Sequence, residues 1–470
     1  MMMHHLPAAP MSQVLPSQRE DIQRPIQRWP ARVVYPIITL PREITSEIFL
    51  HCLPPAPDFS SKLVFPHPSF DLDENPELKA DPYPHNPRPS EAPFLLLQVC
   101  SAWRSIALVT PRLWTHLHLN LADINYFSFY PDLEEFIADW FTRAGSCPLF
   151  FSGNWSSIAA SSASASLNTT LLRYAPRLRN LALQLHEQQL GELGALAAPF
   201  PLLEKLAISI SFPASQLRTF PDFFCGMPRL KELYLNMVPS MFSIPWAQLT
   251  KFACGNVDNL ANVFHAAPLL TDLTCSISED SHELATDITH ARLQTLCLVN
   301  RSSGHFLPRL LLPSLQTLHL KDGEELYDDL LPFLALSATS LRTFSSFGLP
   351  IAPLALDWFS AMPNLTHVTV YAPPPDFAAP FFARLDRAQD STFLPHLHFL
   401  AFVYSSFNLT PPMLHALSSR CTGGDAVAKL HTFMQVWPTG FVRTLGKATI
   451  ATLQQLVEQG MQIHVGPAEV

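Results

Sequence analysis

A short leucine-based phrase returns along most of this chain. A proline or small residue is followed by x-Leu-x-x-Leu-x-Leu, as in the segment from Pro228 to Leu235. Eleven copies lie between residues 175 and 437, and their first leucines, from Leu178 to Leu430, are about 25 residues apart on average. A unit of this length cannot cover its own apolar side, so neighbouring copies must stack to bury it. The repeats therefore predict a curved solenoid with one continuous core.

The phrase and its period resemble leucine-rich repeats, in which each unit contributes one short strand and a helical or irregular return. The resemblance implies an α/β fold over residues 115–470, with a curved parallel sheet. The family's asparagine after the last leucine is mostly missing here, and the repeat lengths vary, so we expect an irregular solenoid. A helix from Thr449 to Glu458 and a strand from Met461 to Val465 are predicted to cap the last repeat.

Residues that flank the second and third leucines of each copy form a second pattern. In a strand of period two these residues point away from the core, so we predict that they line an exposed face that binds a protein partner. The rule selects Glu232, Tyr234, Asn236, Asp272, Thr274, Thr317, His319, Lys321, His367, Thr369 and Tyr371. The alternative is an ordinary solvated sheet, with the partner held by loops or by the C-terminal cap.

Two amphipathic segments precede the repeats, within residues 36–114. The first predicts a helix that begins with Pro41 at its first position, where the missing N–H costs nothing, and that carries Ile44 and Ile48 on one stripe. The second predicts one helix over residues 94–107, with Val99 and Trp103 at helical spacing.

A long loop separates these two segments. Residues 54–92 form an insert that is acidic and rich in proline, so we expect an extended, solvated excursion rather than a packed element. Residues 1–35 are polar and lack a sustained period, and we expect them to form a flexible lead-in.

The residues of the two segments carry a second resemblance. Leu40-Pro41-x-Glu43 with Ile48-Phe49, then Val99-Cys100-x-x-Trp103-Arg104 and Leu113-Trp114, resemble an F-box in the split form common in basidiomycete fungi. The resemblance implies binding to the Skp adaptor of SCF-type ubiquitin ligases, and through it to a cullin. The adaptor-binding residues implied are Leu40, Pro41, Ile44, Ile48, Phe49, Val99, Cys100, Trp103 and Trp114. A helical hairpin with a purely structural core is the alternative.

Composition excludes several other functions. Thirty basic residues stand against thirty-nine acidic ones and no basic run occurs, so nucleic acid is not an expected partner. Neither a signal-like apolar segment nor a stretch of eighteen apolar residues is present, so we expect no membrane association and an intracellular protein of the cytoplasm or nucleus.

The sequence also lacks recognisable catalytic chemistry. It contains no G-x-S-x-G, H-E-x-x-H, G-x-G-x-x-G or P-loop motif, so neither enzymatic activity nor a cofactor is expected. The pairs His116/His118 and His396/His398 supply too few ligands for a closed metal site, and solvated strand faces are the expected role. Cys254 and Cys275 fall on inward positions and are expected to be buried thiols.

These patterns predict the receptor subunit of a ubiquitin ligase, whose F-box-like unit holds the adaptor while its repeats hold the protein to be ubiquitinated. A leucine-rich-repeat interaction scaffold that never joins a ligase is the second possibility. An enzyme with an unrecognised site is the third.

Overall fold

The structure, a computed structural model, describes residues 40–54, 86–120, 133–154, 169–186, 189–190, 200–210, 223–224, 226–236, 242–257, 259–277, 287–299, 306–321, 327–421, 427–438 and 444–467. The predicted lead-in, residues 1–35, and residues 55–85 of the predicted insert lie outside this part of the chain.

One parallel sheet of 14 strands runs through the chain, and its strands are neighbours in the order in which they occur in the sequence. The strands of this sheet are β1 (His116–Asn120), β2 (Leu149–Asn154), β3 (Leu178–Leu185), β4 (Lys205–Ile210), β5 (Glu232–Leu235), β6 (Lys251–Val257), β7 (Asp272–Ile277), β9 (Thr295–Val299), β11 (Thr317–Lys321), β12 (Thr343–Phe347), β13 (His367–Tyr371), β14 (Phe399–Val403), β15 (Thr432–Trp437) and β16 (Gln462–Pro467). Two short strands, β8 (Ile288–Thr289) and β10 (Leu310–Leu311), pair separately. All eleven copies of the leucine phrase form strands of the large sheet, as predicted.

A repeated hydrogen-bond arrangement keeps the strands in register. The carbonyl oxygen of Glu204 accepts two N–H donors from the next repeat, those of Lys231 at 2.8 Å and Glu232 at 3.0 Å. Eight further carbonyl oxygens each accept two N–H donors from the next repeat in the same way, those of Lys231, Thr250, Thr271, Gln294, Gln316, Arg342, Thr366 and His398. Because each of these residues directly precedes its strand, strands β4–β7, β9 and β11–β15 begin level with one another.

Helices cover the other side of the sheet unevenly. The helices are α1 (Arg42–His51), α2 (Phe94–Val99), α3 (Ser101–Leu108), α4 (Leu133–Arg143), α5 (Leu260–Ala266), α6 (Tyr327–Ser337), α7 (Ala352–Ala361), α8 (Ala378–Leu385), α9 (Pro411–Cys421) and α10 (Lys447–Glu458). From β11 to β15 every strand is followed by a helix, whereas a single 3-10 turn, Trp246–Gln248, lies among the described residues between β5 and β6. The chain is thus an irregular α/β solenoid, as the variable repeat lengths predict.

One apolar core runs from Phe49 in α1 to Met461 just before β16. Its sheet side is a row of register-paired residues, for example Leu206, Leu233 and Phe252, all of which are fully buried. On the helix side aromatic rings fill the larger spaces, and the centroids of Phe359 and Phe381 are 5.3 Å apart. The predicted continuous core is therefore confirmed, and each buried aliphatic or aromatic side chain contributes about 1.5–3 kcal/mol before conformational entropy opposes it.

A buried arginine secures the turn between α8 and β14. The Arg420 guanidinium is almost fully buried and donates to the carbonyl oxygens of Leu385 at 2.7 Å and Leu394 at 3.0 Å. Burial lowers its pKa to about 10, which still leaves it charged at neutral pH. Because backbone carbonyls solvate this cation, α9 is tied to the preceding repeat by polar as well as apolar contacts.

The last repeat ends as predicted, with helix α10 and strand β16. Gly460 separates them with a φ of 91°, a left-handed conformation that side chains with a Cβ rarely adopt. Strand β16 then pairs along β15 from Gln462 to Pro467. Among the helices described, none is long and apolar enough to cross a lipid bilayer.

Candidate partner-binding surfaces

Helix α1 joins the two segments that the insert separates in the sequence. The ring of Phe49 lies 4.9 Å from that of Trp103 on α3. Nearby, the hydroxyls of Ser46 and Thr110 are 3.0 Å apart, and an exposed ion pair of 2.6 Å links Glu47 and Arg112. Residues 42–54 and 94–114 therefore form one packed helical unit, despite about forty intervening residues.

The far end of the predicted insert is held by strand β1 and leads directly into helix α2. Asn86 is buried, and its side chain makes two hydrogen bonds with the backbone of Asn120, which donates at 2.7 Å and accepts at 3.0 Å. Further along, the Leu95 N–H donates to the Glu91 carbonyl at 2.8 Å and begins helix α2. The packed structure thus includes residues 86–92, which the sequence assigned to the solvated insert.

The second predicted helix is interrupted at Cys100. This residue is extended, with φ −161° and ψ 169°, and its sulfur accepts the Trp103 N–H at 3.4 Å as the cap of α3. The single helix predicted over residues 94–107 is therefore wrong, and the chain forms α2 and α3 instead. Pro41 likewise precedes helix α1 as its cap residue rather than occupying the first helical position.

Several predicted adaptor-binding side chains are exposed. Ile44 and Val99 expose 50% and 53% of their surface, Leu40 and Pro41 are exposed, and Ile48 is partly exposed. Leu95, one turn before Val99 on α2, is 44% exposed and was not selected from the sequence. Each of the helices α1 and α2 therefore presents apolar side chains one turn apart, a feature typical of helices that bind a partner.

Two other predicted adaptor contacts are buried and cannot reach a partner. Phe49 is fully buried beneath α1, and Trp114 is fully buried between the helical unit and α4. The Trp114 indole donates its N–H to the Ala107 carbonyl at 3.0 Å and packs edge-on against Trp140 at 5.0 Å. Both side chains hold the core together, so their prediction as adaptor contacts is corrected. Trp103 and Cys100 are partly exposed.

The outward residues of the sheet alternate with buried ones, as the sequence predicted. In β11, Thr317, His319 and Lys321 alternate with two buried leucines. In β13, His367, Thr369 and Tyr371 alternate with two fully buried valines. This alternation produces one open face, defined here by the outward residues of β1–β7, β9 and β11–β16.

Charges on the open face are paired near β5. Glu232 lies 3.6 Å from the Lys205 ammonium and 3.9 Å from that of Lys251, on the two neighbouring strands. The Tyr234 hydroxyl donates to Glu232 at 3.2 Å, and the Lys205 ammonium is 5.1 Å from the tyrosine ring centroid. Glu232 and Tyr234 are thus held by their neighbours while remaining partly exposed.

Asn236 has a structural role that the sequence did not reveal. Its side-chain oxygen accepts the Ile210 N–H at 2.8 Å, and its side-chain nitrogen donates to the Ile210 carbonyl at 2.9 Å. The amide therefore continues the strand pairing between β4 and β5. A Cβ on Gly255 would lie only 2.8 Å from the Asn236 carbonyl oxygen, so the next strand passes too close for a side chain. Asn236 is partly exposed, so its role as a partner contact stays a prediction beside this structural role.

The C-terminal half of the open face is aromatic and nearly uncharged. The rings of Tyr371 and Phe347 stack with centroids 6.4 Å apart, and His367 stacks on Phe399 at 5.6 Å. Burial raises the pKa of the Tyr371 phenol. Phe347 and Phe399 occupy outward positions of the same period-two pattern and add to the predicted contact residues.

The remaining predicted contacts are polar. Asp272 accepts the Thr271 hydroxyl at 2.7 Å, and His319 is hydrogen-bonded through Nδ1 to Ser345 on the next strand. Burial, reinforced by the Lys321 ammonium, lowers the pKa of His319, which favours a neutral imidazole. Among the outward residues of β9 and β11–β16, Lys321 is the single lysine, arginine, aspartate or glutamate. A partner of this half would be steered only weakly by electrostatics.

Metal-binding chemistry is sparse in the described part of the chain. No three histidine, cysteine, aspartate or glutamate side chains converge there. His116 stacks on Phe150 at 4.1 Å, and His118 is hydrogen-bonded to Ser152 at 2.8 Å. Cys254 and Cys275 are register-paired and fully buried, as expected, and burial raises the pKa of Cys275.

Comparison with known proteins gives no family for this chain. It matches no protein-family model and no curated protein. Two surfaces of the described chain bear on its function, the exposed side chains of the helical unit and the open face of the sheet.

Proposed function

We propose that this chain is the substrate-recognition subunit of an SCF-type ubiquitin ligase. In this proposal the helical unit binds the Skp adaptor, and the open face binds the protein to be ubiquitinated. The observation that carries the proposal is the exposure of Ile44 and Val99, one from each half of the split F-box-like motif, on helices of one packed unit.

The energetics of the helical unit favour a protein partner. Apolar surface removed from water contributes roughly 25 cal/mol per Å², so covering the exposed parts of Ile44, Leu95 and Val99 would stabilise a complex. Interfaces concentrate their binding energy in a few such buried side chains. The Phe49–Trp103 contact fixes α1 against α3, which limits the conformational entropy that binding would cost.

The chain needs no catalytic group for this function. A receptor that holds a target beside a transfer enzyme loaded with ubiquitin raises the local concentration of the target lysine to roughly millimolar. The adaptor and the cullin that it recruits would supply the link to that enzyme.

Adaptor capture tests the proposal directly. The full-length chain is mixed with a purified Skp adaptor and analysed by size-exclusion chromatography with light scattering, and we expect a stable one-to-one complex. Addition of the cullin should extend the complex. A folded chain that elutes apart from the adaptor at micromolar concentrations of both proteins contradicts the proposal.

A leucine-rich-repeat scaffold that does not join a ligase remains the second candidate. The open face favours it, because its aromatic stacks at Tyr371 and Phe399 belong to the repeats and would bind a partner without the helical unit. Retention of cellular partners by a chain that does not bind the adaptor would support this candidate instead.

A further inference from the structure

Two histidines from neighbouring repeats meet beside the sheet. His398 directly precedes β14 and His431 directly precedes β15, so the parallel register sets them side by side. Their Nδ1 atoms are 3.2 Å apart, and their ring centroids are 5.1 Å apart with the planes inclined by 43°. His431 is exposed and His398 is partly exposed, so solvent ions can reach the pair.

The spacing of the two rings fits shared coordination of one ion. Two imidazole nitrogens, each about 2.05 Å from a zinc ion at a near-tetrahedral angle, lie about 3.3 Å apart with ring centroids about 5.2 Å apart. A straight N–H···N hydrogen bond at the observed nitrogen separation would hold the centroids about 5.5 Å apart. The observed 5.1 Å is closer to the value for shared coordination than to the value for a straight hydrogen bond.

A backbone oxygen lies close to one of the two nitrogens. The Lys429 carbonyl oxygen is 3.1 Å from His398 Nδ1, and without metal it accepts the proton on that nitrogen. On metal binding the neutral His398 ring would carry its proton on Nε2, so that Nδ1 becomes a ligand. The Lys429 ammonium donates to the Gln459 carbonyl at 2.9 Å, so its hydrogen-bond acceptor is a group other than the two histidines.

We propose that His398 Nδ1, His431 Nδ1 and the Lys429 carbonyl oxygen bind a borderline divalent transition metal of the zinc class. Imidazole ligands select Zn²⁺, Ni²⁺ or Cu²⁺ over Mg²⁺ and Ca²⁺. Since no third histidine, cysteine or carboxylate of the described chain converges on this point, the site is open, and water completes the coordination. A bound ion links the repeats of β14 and β15 and stabilises the folded chain by mass action.

Zinc titration of the full-length chain tests the site. The protein is stripped with a chelator, dialysed and titrated with ZnCl₂ by calorimetry, with His396→Ala as the matched control because His396 is exposed in the same turn. We expect His398→Ala and His431→Ala each to weaken the tightest Zn²⁺ binding at least ten-fold and His396→Ala to leave it unchanged. Zn²⁺ should raise the thermal unfolding midpoint of the wild type and of His396→Ala only.

Several results would overturn the site. One is a Zn²⁺ affinity that is equal in the wild type, His398→Ala and His431→Ala. Another is a loss of Zn²⁺ affinity in His396→Ala as large as that in the other two variants. His431→Gln provides a conservative variant at an exposed position, and unchanged Zn²⁺ binding by a folded His431→Gln chain also excludes the site.

Discussion

The ring of Phe49 packs against the indole of Trp103 with centroids 4.9 Å apart, although 53 positions separate the two residues in the sequence. Phe49 belongs to the first half of the split motif and Trp103 to the second. This contact closes the helical unit across the insert, and it leaves Ile44 and Val99 on the outside. The side chains of the motif that fold the unit therefore differ from those that are exposed for the proposed partner.

Phe49→Ala should destabilise the chain. The side chain is fully buried, so its removal leaves a cavity and costs about 3–5 kcal/mol of unfolding free energy. The free energy is measured by chemical denaturation monitored by tryptophan fluorescence. Phe399→Ala, at a partly exposed position of the open face, is the control and should cost much less. Equal losses in both variants would contradict the assignment of Phe49 to the core.

Ile44→Asp should abolish adaptor capture and leave the fold intact. The side chain is half exposed, so a carboxylate is tolerated in the free chain but would be desolvated without a partner in the complex. Capture is measured by pulldown with purified adaptor. Ile351→Asp is the matched control, since this isoleucine is 72% exposed at the start of α7, among the repeats. Undiminished capture by Ile44→Asp would remove α1 from the proposed contact.

Asn236→Ala should reduce stability rather than partner binding. The substitution removes both side-chain hydrogen bonds to Ile210 and leaves its N–H and carbonyl without these partners, which costs about 1–3 kcal/mol. Asn364→Ala, which loses one exposed hydrogen bond to Thr339, is the control and should cost less. Thermal unfolding checks the difference. A stable Asn236→Ala chain that loses its cellular partners would contradict this account and support Asn236 as a contact residue.

Tyr234→Ala combined with Tyr371→Ala should weaken cargo retention several-fold. Both tyrosines lie on the open face, and partly exposed aromatic residues commonly anchor protein interfaces. Quantitative affinity purification under proteasome inhibition measures the retained partners, with Ile351→Ala on the helical side as control. Adaptor binding should be unchanged, and wild-type partner levels in the double variant would exclude the open face as the cargo site.

Stability should fall in acid as Asp390 is protonated. Hydrogen bonds from Thr392 and Arg384 lower the pKa of its carboxyl from 3.8 to about 2. A pKa that is lower in the folded chain means that this stabilisation is complete above about pH 4 and is lost as the pH falls through about 2. Asp390→Asn should therefore lower the unfolding midpoint at pH 6 and have little effect at pH 2. Asp376→Asn, at an exposed position, is the control. An Asp390→Asn effect of equal size at both pH values would contradict this account.

The sequence by itself determined the repeat architecture. Spacing of the leucines and the period-two alternation are local properties, so each copy of the phrase specified one strand and one outward face. For this reason the eleven predicted strands, the terminal helix and strand, and the outward positions of Tyr234 and Tyr371 agree with the structure. The same local signals cannot report which amphipathic side chains are covered by residues far along the chain.

Tertiary structure decided how the remaining residues are used. Phe49 and Trp114 are buried because α3 and α4 pack over them, and Asn236 serves the backbone because β4 lies within hydrogen-bond reach. His398 meets His431 because strands β14 and β15 begin in register, whereas the sequence predicted only a solvated strand face for His396 and His398. Each outcome depends on contacts between residues that are far apart in the sequence, and no periodic signal in the sequence specifies those contacts.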